Sequence, residues 1–121
     1  MDQGHLQWVV EFSIKKGKLV EFERLVKEIS NMVRRFEPGT LKYEWFLDKK
    51  EGKCIVIESY DSSISGMAHV NGEAIKKAFP EILKIAKITR FAVCGNPSDE
   101  LLRDLADVDA KVYQFVEGFS R

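Results

Sequence analysis

The chain has 121 residues, which is enough for one domain built around a single hydrophobic core. Its 19 basic side chains balance its 19 acidic ones, so charge gives no reason to expect nucleic-acid or anionic-membrane binding. No apolar run approaches the roughly 20 residues of a membrane span. The N-terminus lacks the basic flank and apolar stretch of a signal peptide. The sequence therefore predicts a cytoplasmic protein that binds neither nucleic acid nor membrane.

The cysteine and histidine content argues against a disulfide and against a metal site. Cys54 and Cys94 both lie in predicted strands, and without an export signal a structural disulfide is not expected. Two cysteines and the two histidines, His5 and His69, are too few for a cysteine-based metal site. Both cysteines are predicted to be small buried hydrophobes.

The first half of the chain reads as strand, helix and two strands. Apolar residues alternate from Leu6 to Ile14, as in a half-buried strand. Over residues 19–36 they recur every three or four positions, which predicts an amphipathic helix of about five turns. Glu37-Pro38-Gly39 ends that helix. Residues 41–47 and 54–60 then predict two strands joined by a polar connection that contains a glycine.

The next segment reads as a second helix followed by a fourth strand. The helix is expected from Ile64 to about Phe79, after a cap in Asp61-Ser62-Ser63, and Gly66 and Gly72 should weaken or break it. After Pro80, a short apolar piece leads to a strand from Ile88 to Cys94.

The C-terminal tail predicts one more helix and one more strand. Ser98 is a good N-cap before the acidic residues Asp99-Glu100, and the helix should continue to about Ala106. The apolar residues between Val112 and Val116 then predict a short strand. A tail of this kind is able to reach across to a neighbouring subunit.

The element order β-α-β-β-α-β predicts an α+β protein with the ferredoxin-like plan and an antiparallel sheet. Its helices cover only one face of the sheet, and the other face still carries apolar residues that need a partner. We therefore expect a homodimer. The predicted organisation is one domain, in which residues 1–95 form the ferredoxin-like part and residues 96–121 form a helix-strand extension.

Several short stretches match the pattern of a known family. They are Lys16-Gly17-Lys18 before the first helix, Glu37-Pro38-Gly39-Thr40-Leu41-x-Tyr43 after it, Glu58-x-Tyr60-Asp61 followed by His69, and Phe79 at a helix end. Over about residues 8 to 95 the chain thus resembles the antibiotic biosynthesis monooxygenase family, including its quinol-monooxygenase-like members. The tail is similar to an extension found in a subset of uncharacterised members.

The resemblance implies a dimeric α+β barrel with a small-molecule pocket between sheet and helices in each subunit. Characterised members oxidise phenolic or quinol-like substrates without metal or flavin, so no cofactor is expected. Relatives degrade haem, isomerise sugar phosphates or have no established activity, so the fold is more secure than the activity. Tyr60 stands where many members have Trp. The Asn-Trp-His set of the haem-degrading relatives is incomplete here, which argues against haem chemistry.

Two residues are candidates for the base that a cofactor-free oxygenase needs to remove a phenolic proton. One is His69, because an unperturbed imidazole titrates in the range suited to proton transfer at neutral pH. Its simpler interpretation is a residue that hydrogen-bonds locally near the helix. Glu58 is a carboxylate in an otherwise apolar strand, where burial would raise its pKa. For Glu58, a salt bridge to Arg90 on a neighbouring strand is the commoner outcome.

Four residues are candidates for substrate binding. Tyr43, Trp45 and Tyr60 are aromatic side chains with polar groups on predicted strands, where they either line a pocket or simply pack. Arg90 is able to hold an anionic substrate.

Three functions are therefore open: a cofactor-free monooxygenase of a small phenol or quinol, a non-catalytic small-molecule-binding or stress-related dimer, and an isomerase. An apolar pocket beside His69 or Glu58 favours the first. A pocket filled by aromatic side chains favours the second, and a basic pocket around Arg90 favours the third.

Overall fold

The structure is a computed structural model that describes residues 6–121. Within them the chain forms five strands, four α-helices and one short 3-10 turn. The strands are β1 Leu6–Ile14, β2 Thr40–Asp48, β3 Lys53–Tyr60, β4 Ala86–Gly95 and β5 Lys111–Tyr113. The helices are α1 Leu19–Phe36, α2 Ser63–Val70, α3 Glu73–Ile85 and α4 Asp99–Asp104, with the 3-10 turn at Ala106–Val108.

The strands form one sheet in the order β2-β3-β1-β4-β5. The pairs among β1 to β4 are antiparallel, and only β5 runs parallel to its neighbour β4. The predicted α+β, ferredoxin-like arrangement is therefore confirmed. Burial alternates along β1 and β3, so every second side chain points under the helices into the core, as the period-two pattern predicts.

The expected second helix is in fact two helices, α2 and α3, which meet at Asn71-Gly72. A Cβ at Gly72 would lie 2.7 Å from the carbonyl oxygen of Ala68, so only glycine fits this junction without a shift. The expectation that the helical segment ends before Pro80 is wrong, because α3 continues through Pro80 to Ile85. Proline removes one helical hydrogen bond there, but the buried side chains of Ala78 and Ile82 hold both halves of α3 in the core.

The C-terminal elements pack on the domain that precedes them. The hydroxyl of Ser98 accepts a hydrogen bond of 3.1 Å from the backbone N–H of Leu101, which caps α4 as predicted. Leu101 and Leu105 are buried in the main core. The predicted last strand is shorter than expected, and it extends the chain's own sheet beside β4.

The second face of the sheet carries no helix among residues 6–121, and apolar side chains remain on it. Phe46 is 51% exposed and Ile55 is 40% exposed, on neighbouring strands. Val9 and Ile57 pair across β1 and β3 on the same face and are half-buried. No helix within the described range is long and apolar enough to cross a membrane.

Candidate active site

A row of side chains across three strands forms the floor of the candidate site. Tyr43 on β2 is opposite Glu58 on β3, which is opposite Trp8 on β1. The strand registers therefore bring together residues that are far apart in the sequence. The next row along the sheet on this face contains Trp45, which is opposite Val56.

A cavity of about 80 Å³ lies between this face of the sheet and the helices. Much of its wall is apolar and comes from both the sheet and α3, including Val10, Phe12, Val56, Ile75, Phe79 and Phe91. Its lining residues with polar groups are Trp8, Tyr43, Trp45, Glu58, His69 and Asp104. The α4 segment and the 3-10 turn close one side through Asp104, Leu105 and Val108.

His69 lies in the last turn of α2 with its imidazole held between two carboxylates. Its Nδ1 is 2.7 Å from Oε1 of Glu37, and its Nε2 is 3.3 Å from Oε1 of Glu58. The side chains of all three residues are buried. The hydroxyl of Thr40 also donates to Oε1 of Glu37 at 3.2 Å. This arrangement fixes the orientation of the ring and directs Nε2 at Glu58.

Glu58 has hydrogen-bond donors on more than one side. The Tyr60 hydroxyl donates to Oε1 of Glu58, and the Trp8 side chain is a further hydrogen-bond partner. Burial raises the pKa of Glu58, while His69, Tyr60 and Trp8 partly oppose that rise. Burial lowers the pKa of His69, but Glu37 and Glu58 outweigh it, so that the pKa lies above its ordinary value.

The two tyrosines keep their protons, and Tyr60 donates its proton to Glu58. Burial, with Glu58 close by, raises the pKa of both Tyr43 and Tyr60 well above the usual value. The Tyr43 ring lies 5.2 Å from the His69 ring, centroid to centroid. Tyr43 and His69 therefore present a phenol and an imidazole on the same wall of the cavity.

Trp45 brings an unused donor to the cavity. Its indole Nε1 is buried, and it has no hydrogen-bond partner within the described part of the chain. Tyr43 is close, with the ring centroids 5.8 Å apart, and Trp45 acts on its phenol as a weak donor that lowers the pKa of Tyr43, but the contact falls short of hydrogen-bond geometry. A buried donor without a partner is costly, and an acceptor on a bound molecule would remove that cost.

Arg90 is not brought to the cavity with the other predicted residues. It is exposed on the sheet face that carries no helix, where its Nη1 lies 3.3 Å from Oε2 of Glu11 and its guanidinium covers the Tyr113 ring. The salt bridge expected between Glu58 and Arg90 is absent, because the two side chains lie on opposite faces. Glu11 is the residue directly opposite Arg90 on β1.

Two carboxylates of the site were not predicted from the sequence. Glu37 was interpreted as part of the turn that ends α1 and of the family motif there, and Asp104 was given no role. One signal pointed to Glu37: an acidic residue at a helix C-terminus is electrostatically unfavourable and therefore unusual without a cationic partner. Asp104 accepts a hydrogen bond of 2.8 Å from Asn71, a contact that only the packing of α4 against α2 creates.

The cavity is thus arranged for proton transfer. A carboxylate with raised pKa faces apolar space, an imidazole lies beside it on the same cavity, and neutral phenol and indole groups line the wall around it. Among residues 6–121, no group of three or more His, Cys, Asp or Glu side chains is placed to hold a metal ion.

Fold and site define a ferredoxin-like α+β protein with an acid–base cavity beneath its helices. The sequence profile of the antibiotic biosynthesis monooxygenase family matches residues 8–81, which is more than half of the chain. The chain therefore belongs to the antibiotic biosynthesis monooxygenase family, as its sequence motifs predicted.

Solved structures share this fold. MupZ from Pseudomonas fluorescens matches with a TM-score of 0.85 at 22% identity, over 97% of this chain and 94% of its own. A protein from Caulobacter crescentus CB15 that carries the family's name matches with a TM-score of 0.66 at 25% identity. The match covers 75% of this chain and 86% of that protein. A third structure, of an antibiotic biosynthesis monooxygenase, matches with a TM-score of 0.63 at 24% identity. The match covers 73% of this chain and 92% of that protein. No curated protein matches the sequence.

Proposed function

We propose that the protein is a cofactor-independent monooxygenase that acts on a small phenolic or quinol-like substrate. The observation that carries this proposal is the buried carboxylate of Glu58, which lines an apolar cavity with Nε2 of His69 3.3 Å away on the same cavity. Membership of the family supports a monooxygenase-like activity. The substrate and the oxygen chemistry are our inference.

In the proposed reaction, Glu58 removes the phenolic proton of the substrate. The raised pKa of Glu58 brings its basicity closer to that of a phenol than an exposed carboxylate would be. His69, with its own pKa raised, stabilises the charge on the carboxylate or takes up the proton. The phenolate is electron-rich enough to reduce dioxygen. One oxygen atom stays in the product as a carbonyl, and the other leaves as water.

Tyr43 and Trp45 are the residues that we propose to hold the phenolate oxygen. Both line the cavity on β2, Tyr43 stays protonated, and the indole nitrogen of Trp45 has no other partner among the described residues. Donors that are already oriented stabilise a developing anion without reorganising. The small volume of about 80 Å³ favours a substrate smaller than the drug-sized ligands of larger pockets.

We also propose that the protein works as a homodimer formed through the uncovered face of the sheet. The apolar side chains of that face support this arrangement. Members of the family are typically dimeric. The C-terminal extension from residue 96 onward belongs to the same domain in this proposal, and its exposed end, with Val116 and Phe119, is available to contact the partner.

The test is oxygen consumption with a panel of small quinols and phenols, in buffer containing a metal chelator. We expect uptake that depends on the protein, is insensitive to the chelator and is lost in Glu58→Gln. Product formation without oxygen uptake would contradict the monooxygenase.

The second candidate is an acid–base enzyme that needs no oxygen, such as an isomerase. It is favoured by Asp104, a second carboxylate that reaches the same cavity from α4 while Glu58 reaches it from the sheet. Two carboxylates in different surroundings are able to divide the roles of acid and base. Turnover that continues under nitrogen would establish this candidate. Tight ligand binding without any turnover would instead indicate a binding protein.

A further inference from the structure

Glu37 borders a second opening on the far side of His69 from the cavity. A depression of about 310 Å³ is lined by Phe36, Glu37, Ala68, Gly72 and Glu73, and we call it the outer depression. Phe36, Ala68 and Glu73 are exposed, so the depression is open to water, whereas Glu37 is buried at its base. Among residues 6–121, Glu37 alone belongs both to this depression and to the row of contacts from Glu58 through His69.

The two oxygens of the Glu37 carboxylate have different surroundings. Oε1 is 2.7 Å from Nδ1 of His69 and accepts from Thr40. Oε2 lies near Gly72, since a Cβ built there would be 3.3 Å from it. The absence of a side chain at Gly72 therefore leaves space beside Oε2 on the side of the outer depression.

We propose that Glu37 is the outer end of a proton path that runs from the substrate cavity through Glu58 and His69 to the outer depression. The path rests on the proposed function, because it gives the proton that Glu58 removes a way to water. A substrate that fills the small apolar cavity displaces water from its side of Glu58. The route behind Glu58 stays open while the cavity is occupied.

Each transfer moves one proton between atoms that are in contact. Protonated Glu58 gives its proton to Nε2 of His69, so that an O–H bond breaks and an N–H bond forms. The imidazolium then loses its Nδ1 proton to Oε1 of Glu37, and Glu37 releases a proton to water in the outer depression. After product leaves, the imidazole regains its starting tautomer: Nδ1 takes a proton from Glu37, which water in the outer depression has reprotonated, and the Nε2 proton leaves through Glu58 to cavity water.

The groups that surround His69 from each packed element are consistent with this direction. β3 brings Glu58 and the phenol of Tyr60, β2 brings the phenol of Tyr43, and the end of α1 brings Glu37. Both phenols keep their protons, so the two carboxylates are the proton acceptors next to the ring. Glu73 lines the outer depression from the start of α3.

The test measures how fast the imidazole protons of His69 exchange with water, by nitrogen-15 NMR on the whole protein. Glu37→Gln keeps an oxygen that accepts from Nδ1–H but is unable to take up the proton. We expect exchange to slow by at least about tenfold, the lower range of general acid–base effects. Glu73→Gln is the matched control at the same depression and should exchange at the wild-type rate.

A second variant leaves all three relay residues intact. Ala68→Phe places a bulky side chain at an exposed helix position over the outer depression, and we expect it to slow exchange as well. With a confirmed substrate, it should lower kcat and leave KM unchanged, because it obstructs the outlet and not the cavity.

Exchange at the wild-type rate in both Glu37→Gln and Ala68→Phe would overturn the path and show that protons reach His69 through the cavity. These NMR measurements need no substrate. They therefore decide the path separately from the oxygen-uptake assay that decides the proposed function.

Discussion

Nε2 of His69 lies 3.3 Å from Oε1 of Glu58, and Nδ1 of the same ring lies 2.7 Å from Oε1 of Glu37. One imidazole thus separates two buried carboxylates that would otherwise repel each other in a medium of low dielectric. When the ring takes up a proton, which its raised pKa favours, its positive charge offsets one of theirs. The same ring therefore stabilises the fold and keeps Glu58 able to exchange a proton with its surroundings.

Removing the carboxylate of Glu58 should abolish most of the activity. Loss of a general base typically costs 10²–10⁴-fold in rate, so we expect Glu58→Gln to lower kcat of quinol oxidation by about that range. The measurement is initial oxygen uptake under saturating substrate. Glu11→Gln is the control, because Glu11 is a carboxylate of the neighbouring strand that pairs with Arg90 outside the cavity.

His69→Ala tests the supporting role of the imidazole. We expect at least about a tenfold loss of rate, with partial rescue by water, and an unchanged oligomeric state. If Glu58→Gln and His69→Ala both retain a confirmed activity, the substrate supplies its own acidity and the assignment of the base is wrong.

Stability should fall as the pH rises through the neutral range. Burial raises the pKa of Glu58, and the pKa of His69 is raised because its carboxylate partners outweigh burial. Both groups hold their protons more tightly in the folded state than in the unfolded chain. Each therefore contributes stability that is complete below its unfolded pKa, about 4.3 for Glu and 6.5 for His, and is lost as the pH rises through its higher folded pKa.

Thermal unfolding from about pH 5 to about pH 8 checks this sign. Glu58→Gln removes one of the two contributions, so the Tm of the variant should decline less steeply with pH than that of the wild type. Parallel curves for the two proteins would show that Glu58 has the same pKa in the folded and unfolded states.

Much of the floor of the site was predictable because strands have a period of two. Alternation placed Tyr43 and Trp45 on one face of β2, and the same rule places Glu58 and Tyr60 together on β3. Arg90 was assigned to the cavity because its strand could be predicted, whereas the face of the sheet on which its side chain lies could not. β4 shifts register beside Glu11 and Phe12, and such an irregularity leaves no reliable trace in the sequence.

The residues that come from helix ends were harder to predict. His69 was found because histidine itself suggests proton transfer, whereas Glu37 looked like an ordinary turn residue. Their contact depends on the close approach of α2 to the turn after α1. There a Cβ on Gly39 would lie 2.0 Å from Oγ of Ser65. A glycine required by tertiary contact looks the same in the sequence as one required by a turn.

Trp45 offers a test of the unused donor. Trp45→Phe keeps an aromatic ring and removes the buried N–H group. Because that group has no hydrogen-bond partner among the described residues, we expect its removal to cost the unliganded protein no stability. Binding of a phenolate ligand should weaken by roughly 10- to 160-fold, the equivalent of one hydrogen bond to a charged group of about 1.5–3 kcal/mol. Calorimetric titration of both proteins measures it. Equal affinities would show that the indole nitrogen does not contact the ligand.

The uncovered face of the sheet should hold two copies of the chain together. Ile57 on β3 lies opposite Val9 on β1, near the middle of this face, and both are half-buried even in the single chain. Wild-type protein at micromolar concentration should scatter light as about twice the monomer mass of 13.9 kDa. Ile57→Lys places a charge where the partner's apolar side chains would meet it, and burying an unpaired charge is strongly unfavourable. We therefore expect a mass near 13.9 kDa for this variant.

Ile64→Lys is the control, since Ile64 is 79% exposed on α2, away from this face. A wild-type monomer, or a dimer that survives Ile57→Lys unchanged, would contradict a sheet-face interface.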